Sequence, residues 1–210
     1  MDANTREHVF DFIGGSLCLD FANTFGGLPA DSPSQERLLS YARLVAWSQQ
    51  ANLIGKHEAT VLLRKAENNP TEATAVLERA IALRQTIQGI FTAVTQGQPP
   101  TQSDLDTLNR ELARGMSGPR VIMGAEGFAW EWPRDEEALD QMLTPIARSV
   151  AALLISSERQ YVRECANEMC HWLFVDTTKN HRRQWCRTSG CGNMMRVRKH
   201  RERQRNQEEQ

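Results

Sequence analysis

No apolar run in this chain is long enough to cross a bilayer. The longest, "VAALLI" at 150–155, falls far short of the ~20 residues a spanning helix needs. The opening "MDANTREHVFDF" is polar and acidic, without the basic start and apolar stretch of a secretory signal. These absences predict a cytoplasmic protein with no membrane partner, in a compartment where thiols stay reduced. There is no internal repeat and no low-complexity tract, which sets aside solenoid and linker architectures. There is also no phosphate loop and no nucleophile–base pair, so nothing supports an enzyme. Cysteine is scarce, five in 210 residues, and that scarcity makes its placement informative.

Four of the five lie between Cys165 and Cys191. The spacing is Cys165-x4-Cys170, fifteen residues, then Cys186-x4-Cys191. Two knuckles of this kind, brought together by a hairpin, build a tetrahedral thiolate site for zinc. Disulfides would need an oxidising compartment, and a redox pair usually has two intervening residues rather than four. Four reduced core cysteines together by coincidence is a weaker reading. His171 and His181 are available, but four thiolates already fill a tetrahedron. With no open position for water or substrate, the zinc is expected to be structural, one per chain. Between the knuckles "HWLFVD" reads as a strand, "TTKN" as a turn, and "HRRQW" as the return to the third ligand. Cys18, far away in an apolar run, reads as a small buried hydrophobe.

Charge is divided just as unevenly. The net charge is −1, yet residues 1–157 carry 13 Lys or Arg against 19 Asp or Glu. Residues 158–205 carry 12 against 5. After the last cysteine, "NMMRVRKHRERQR" has helical composition, with Asn193 as a candidate cap. A module of ~40 residues cannot fold on a hydrophobic core alone, and zinc would supply the missing stability. The expectation is a rigid platform presenting a basic helix, the electrostatic footprint of a nucleic-acid binder. The candidate contacts are Arg182, Arg183, Arg187, Arg196, Arg198, Lys199, Arg201 and Arg203. Arg196 and Lys199, near the helix start, are the candidates for reading bases. DNA is the expected partner, with RNA or an acidic protein as alternatives. Trp172 and Trp185 are expected to pack around the knuckles rather than to stack on bases.

The rest is mainly helical. Apolar residues at helical period predict helices from Ser34 to about Leu53, from after Gly55 through Glu67, and from Glu72 to Thr95 with Thr71 as cap. Arg84 breaks the apolar face of the last of these. "LPADSPSQ" reads as a turn or linker. "TQSDLDTLNRELAR" predicts a further helix, "PRVIMG" and "GFAWEW" a hairpin, and 135–157 a final helix kinked or restarted at Pro145. The fold expected is α+β, mostly α. Residues 1–157 form a helical domain with a small hairpin or sheet, 158–205 the four-cysteine finger, and 206–210 a polar tail.

The stretch from Cys165 to Arg203, with "WLFVDTTKNHRRQWC" and "CGN" before a basic helix, resembles the CGNR zinc finger. Met194 takes the place of that motif's final Arg, with Arg196 and Arg198 nearby. "GSLCLDFANT", Gly15 to Thr24, looks like the opening signature of the ABATE domain found in stress-induced transcription regulators. The resemblance implies a bacterial-type regulator that binds DNA through its finger. It implies an N-terminal domain for sensing or dimerisation, hence a homo-oligomer or a small-molecule effector. Asp20, Asn23 and Thr24 form a polar cluster in the apolar opening segment. They read either as a ligand pocket or, by preference, as side chains capping a local turn.

Overall fold

The computed structural model describes residues 10–27, 36–114, 120–124, 127–131 and 137–208. The apolar opening segment forms the short helix α1, Leu17–Ala22. Cys18, Leu19 and Phe21 on it are fully buried. Burial pushes the Cys18 thiol up, in keeping with a residue that packs rather than reacts.

Helix α2 spans Tyr41–Gln50, a later start than Ser34. The Ser40 hydroxyl accepts the Arg43 N–H at 3.3 Å and fixes the entry there. The "LPADSPSQ" segment lies outside the described residues. Helix α3, Lys56–Asn68, is followed by α4, Pro70–Thr95. The expected cap at Thr71 is two residues too late. Pro70 occupies the first helical position, where its missing N–H costs nothing, and Asn69 precedes it. Helix α5, Gln102–Arg114, is capped by Thr101, whose hydroxyl accepts the Asp104 N–H at 3.1 Å.

Strands β1, Arg120–Gly124, and β2, Gly127–Glu131, pair as the expected antiparallel hairpin, with Val121 opposite Trp130 and Met123 opposite Phe128. Helix α6, Leu143–Ile155, begins eight residues later than the sequence pattern suggests. Pro145 then falls in its first turn, where proline is tolerated, and no kink is needed.

A 3-10 turn, Ser157–Tyr161, leads into strand β3, Val162–Glu164, which pairs antiparallel with β4, Leu173–Val175. A π-turn, Thr188–Gly192, continues into the last helix, α7, Asn193–Glu208.

Helix α4 is the axis of the core, in contact with α1, α2, α3, α5, α6, β3 and β4. One hydrophobic cluster joins Leu19, Phe21, Leu44, Trp47, Leu83, Ile87, Ile146 and Val150 with Val162, Leu173 and Val175. The β3–β4 ribbon of the C-terminal region therefore packs into the same core as the helices. Arg84, the break in the apolar face of α4, is buried with its guanidinium on both Glu36 carboxylate oxygens, at 2.6 and 2.5 Å. Arg79 bridges Glu111 on α5 and Asp140 ahead of α6, at 2.7 and 2.8 Å.

Candidate functional site

The first knuckle is the loop of the β3–β4 hairpin. Cys165 follows β3 directly, and its N–H donates to the Trp172 carbonyl at 2.8 Å. Inside the loop the Cys170 N–H donates to the Asn167 carbonyl at 2.8 Å. The pairing differs from the sequence expectation of a hairpin in which "HRRQW" returns from "HWLFVD" toward the third ligand. Residues 181–185 are irregular, and the partner of β4 is β3, upstream of the first cysteine. Only three residues of β3 pair, too few for a periodic signal to mark them as a strand.

Asp176 organises the crossing between the knuckles. It is fully buried, and its carboxylate accepts the Thr178 N–H at 3.0 Å, the Thr178 hydroxyl at 2.6 Å and the Arg183 N–H at 2.7 Å. The "DTT" pattern is the sequence signal for such an Asx turn. The second knuckle runs from Cys186 through the π-turn, where the Gly192 N–H donates to the Arg187 carbonyl at 3.1 Å. A Cβ on Gly192 would lie 2.9 Å from the Trp185 ring, so the close approach of Trp185 requires glycine there.

Cys165, Cys170, Cys186 and Cys191 are all buried, and their sulfurs lie within 4.8 Å of one another. Cys186 Sγ is 3.6 Å from Cys170 Sγ and 3.5 Å from Cys191 Sγ. A disulfide would need about 2.05 Å, and all the cysteines are free. Ligands held ~2.3 Å from a tetrahedral ion lie about 3.8 Å apart, so the donor set fits zinc. The thiols influence one another strongly. Hydrogen bonds from Cys170 and Cys186 hold the Cys165 thiol far below its ordinary range, while the Cys165 contact pushes Cys170 and Cys186 up. A divalent cation would stabilise all four as thiolates.

Trp172, 4% exposed, locks the first knuckle onto the N-terminal segment. Its indole N–H donates to the Phe25 carbonyl at 3.0 Å, and the Gly27 N–H donates to the Cys170 carbonyl at 3.0 Å. Gly27 has φ +83°, and a Cβ there would stand 2.4 Å from the indole ring. Trp172 thus packs beside the metal centre, as expected. Its glycine counterpart, 145 positions away, had no marker in the local sequence.

The polar cluster of the opening segment is spent on the protein's own groups. Asp20 Oδ1 accepts the Gly14 N–H at 2.7 Å, and burial pushes its carboxyl up to about 6. Thr24 donates to the Phe21 carbonyl at 2.7 Å. Asn23 exchanges hydrogen bonds with the backbone of Leu173. Asp20 and Thr24 make the expected local turn contacts. Asn23 reaches across the core instead, which local reasoning did not anticipate.

The basic residues divide into two groups. Arg183 lies over the Phe174 ring at 4.2 Å and donates to the carbonyls of Trp185 and Cys186. Its guanidinium braces the second knuckle, a different engagement from the nucleic-acid contact expected of it. Arg187 pairs with Asp11, and Arg182 is exposed. Helix α7 follows Cys191 almost at once. Asn193 has helical φ −66° and ψ −44° and continues the π-turn rather than capping the helix. From Asn193 to Gln207 every residue but the half-buried Met195 is exposed. Arg196, Arg198, Lys199, Arg201 and Arg203 all lie on this helix, with Arg205 beyond them. Met194, in the place of the motif arginine, is 44% exposed and stands outside the cysteine cluster.

Two family descriptions match the chain. Residues 15–157 match ABATE, described as "Putative stress-induced transcription regulator", and residues 161–204 match the CGNR zinc finger. No curated protein matches. The finger match and the geometry of the cysteines together establish one structural zinc as the cofactor.

Proposed function

Because this chain belongs to the ABATE family and ends in a CGNR zinc finger, we propose that it is a cytoplasmic transcription regulator that binds duplex DNA through α7. In this reading residues 1–157 are the body and 158–205 the nucleic-acid module. The observation that carries it is the surface of α7. A helix with six Lys or Arg residues is exposed around almost its whole circumference. Such a helix gains little from packing, and its charge suits a polyanion. The zinc supplies folding energy and ties the start of the helix to the core. The cations Arg196, Lys199, Arg201, Arg203 and Arg205 neutralise phosphates, while Arg198 pairs with Glu202 on the same helix. Arg182 and Arg187, on the approach to the π-turn, extend the basic surface.

Salt dependence tests the reading. Each phosphate neutralised contributes about 0.9 to the slope of log affinity against log salt on duplex DNA. Replacing Arg196, Arg198, Lys199 and Arg201 by alanine should make that slope shallower by roughly two to three, with zinc content unchanged. If the unaltered protein shows no salt-sensitive binding to duplex DNA at low ionic strength, the reading fails. Binding to single-stranded RNA or to an acidic protein would then take its place.

A further inference from the structure

The face of α7 that meets DNA can be read from its periodicity, resting on the reading that α7 binds a duplex. Residues three and four apart share a face of a helix. Asn193, Val197, His200 and Gln204 fall at intervals of four, three and four and form one stripe. Arg201 and Arg205 lie along one flank of it, and Arg196, Lys199 and Arg203 along the other. The back of the helix carries Glu202, seven residues on from the half-buried Met195. Arg198 leans toward that back and pairs with Glu202 at 3.1 Å.

A stripe of hydrogen-bonding and apolar side chains between two rows of cations matches a major groove. A helix with its side chains is about 10–12 Å across, and the groove is about 12 Å wide with a phosphate wall on each side. With the stripe on the groove floor, the two cationic rows face opposite backbones and Glu202 points away from both. Turning the helix by half a revolution would leave a cationic row on each wall but drive the Glu202 carboxylate into the bases. We propose that Asn193, Val197, His200 and Gln204 are the base-reading residues of this protein.

The side-chain chemistry specifies the site. An Asn or Gln amide pairs bidentately with the major-groove edge of adenine, an apolar contact suits the thymine methyl, and donors suit guanine. At 1.5 Å per residue, Asn193 and Gln204 are about 16 Å apart, the height of roughly five base pairs at 3.4 Å each. The ligand is thus a duplex with adenines roughly five pairs apart, and a thymine about two pairs inside the one that faces Asn193. Asn193 stands two residues after Cys191, so the first of these contacts is the one the metal centre positions. Arg196 and Lys199, the candidates nearest the helix start on charge alone, fall on the phosphate flank.

Selection from duplexes with a randomised centre tests the assignment, using the full-length zinc-loaded protein. The selected site should carry the two adenines at this spacing. Asn193→Ala should abolish preference at the first and Gln204→Ala at the second, each a loss of about 5- to 150-fold in discrimination. Arg201→Ala and Arg203→Ala should weaken all duplexes alike and reduce the salt slope by about 0.9 each. Zinc content and helical signal identify any variant that fails to fold. Gln204, exposed near the far end of α7, keeps the test decisive if Asn193→Ala disturbs the helix start. Preference lost with Arg196→Ala or Lys199→Ala and kept with Gln204→Ala overturns the stripe while leaving DNA binding intact. Absence of any duplex binding by the unaltered protein overturns the functional reading instead.

Discussion

The side-chain amide of Asn23 clasps the backbone of Leu173, 150 residues away. Its Nδ2 donates to the Leu173 carbonyl and its Oδ1 accepts the Leu173 N–H, each at 2.9 Å. The contact ties the end of α1 to the strand that leaves the first knuckle, inside the core. Asn23→Ala would leave a buried donor and a buried acceptor unpaired. The expected loss is about 2–6 kcal/mol, at ~1–3 kcal/mol for each of the two unsatisfied groups, measured by urea unfolding. A loss below 0.5 kcal/mol, on the order of a surface substitution, would show that the clasp carries no weight.

The shared core makes the metal matter beyond the finger. Leu173 and Val175 sit with the helices in one cluster, and Trp172 is locked against Gly27. Purified protein should contain one zinc per chain, and Cys186→Ala should lose it. Chelation should lower the midpoint of a single thermal transition that includes the N-terminal helices. Two separate transitions, with the first half indifferent to zinc, would contradict this.

Asp20 gives stability a distinctive pH dependence. Its carboxyl is raised to about 6 by burial, above an unfolded value of ~3.9. Between these values the folded protein holds a proton that the unfolded chain releases. Stability from this group is therefore highest below pH ~4 and falls as pH rises toward ~6. Asp20→Asn removes this titrating proton while keeping an oxygen to accept the Gly14 N–H. Variant-minus-wild-type stability should rise by roughly 2–3 kcal/mol from pH 4 to pH 7. A flat difference across that range would contradict it.

Arg84 and Glu36 form a pair whose halves are not independent. Arg84→Ala removes the cation facing the Glu36 carboxylate, which is 21% exposed and keeps the Leu38 N–H at 2.7 Å. The expected cost is about 3 kcal/mol. Glu36→Gln should restore much of it in the Arg84→Ala background by removing the carboxylate charge that Arg84 no longer balances. Additive losses in the double variant would contradict this coupling.

Much of this protein was determined by the sequence alone, wherever the signal was local. The four-cysteine spacing specified the metal centre, because two short knuckles need only a few residues each to place their thiolates. Helical period located α4 and α5 nearly to their ends, because neighbours three and four apart define a face without reference to the rest of the chain. The charge division marked the basic helix for the same reason. The tertiary structure alone decided where distant groups meet. Asp20, Asn23 and Thr24 look alike as a polar triplet, and only packing sends Asn23 across the core to Leu173. Arg183 is one more arginine in a basic segment until the chain folds and its guanidinium closes on the carbonyls of Trp185 and Cys186. Strand β3 has no periodicity of its own and exists because Val162 and Leu173 are buried against α4. The π-turn that carries Cys191 into α7 depends on Trp185 settling against Gly192. These outcomes rest on hydrogen bonds and buried area between residues far apart in sequence, and such pairs come into existence only when the core closes.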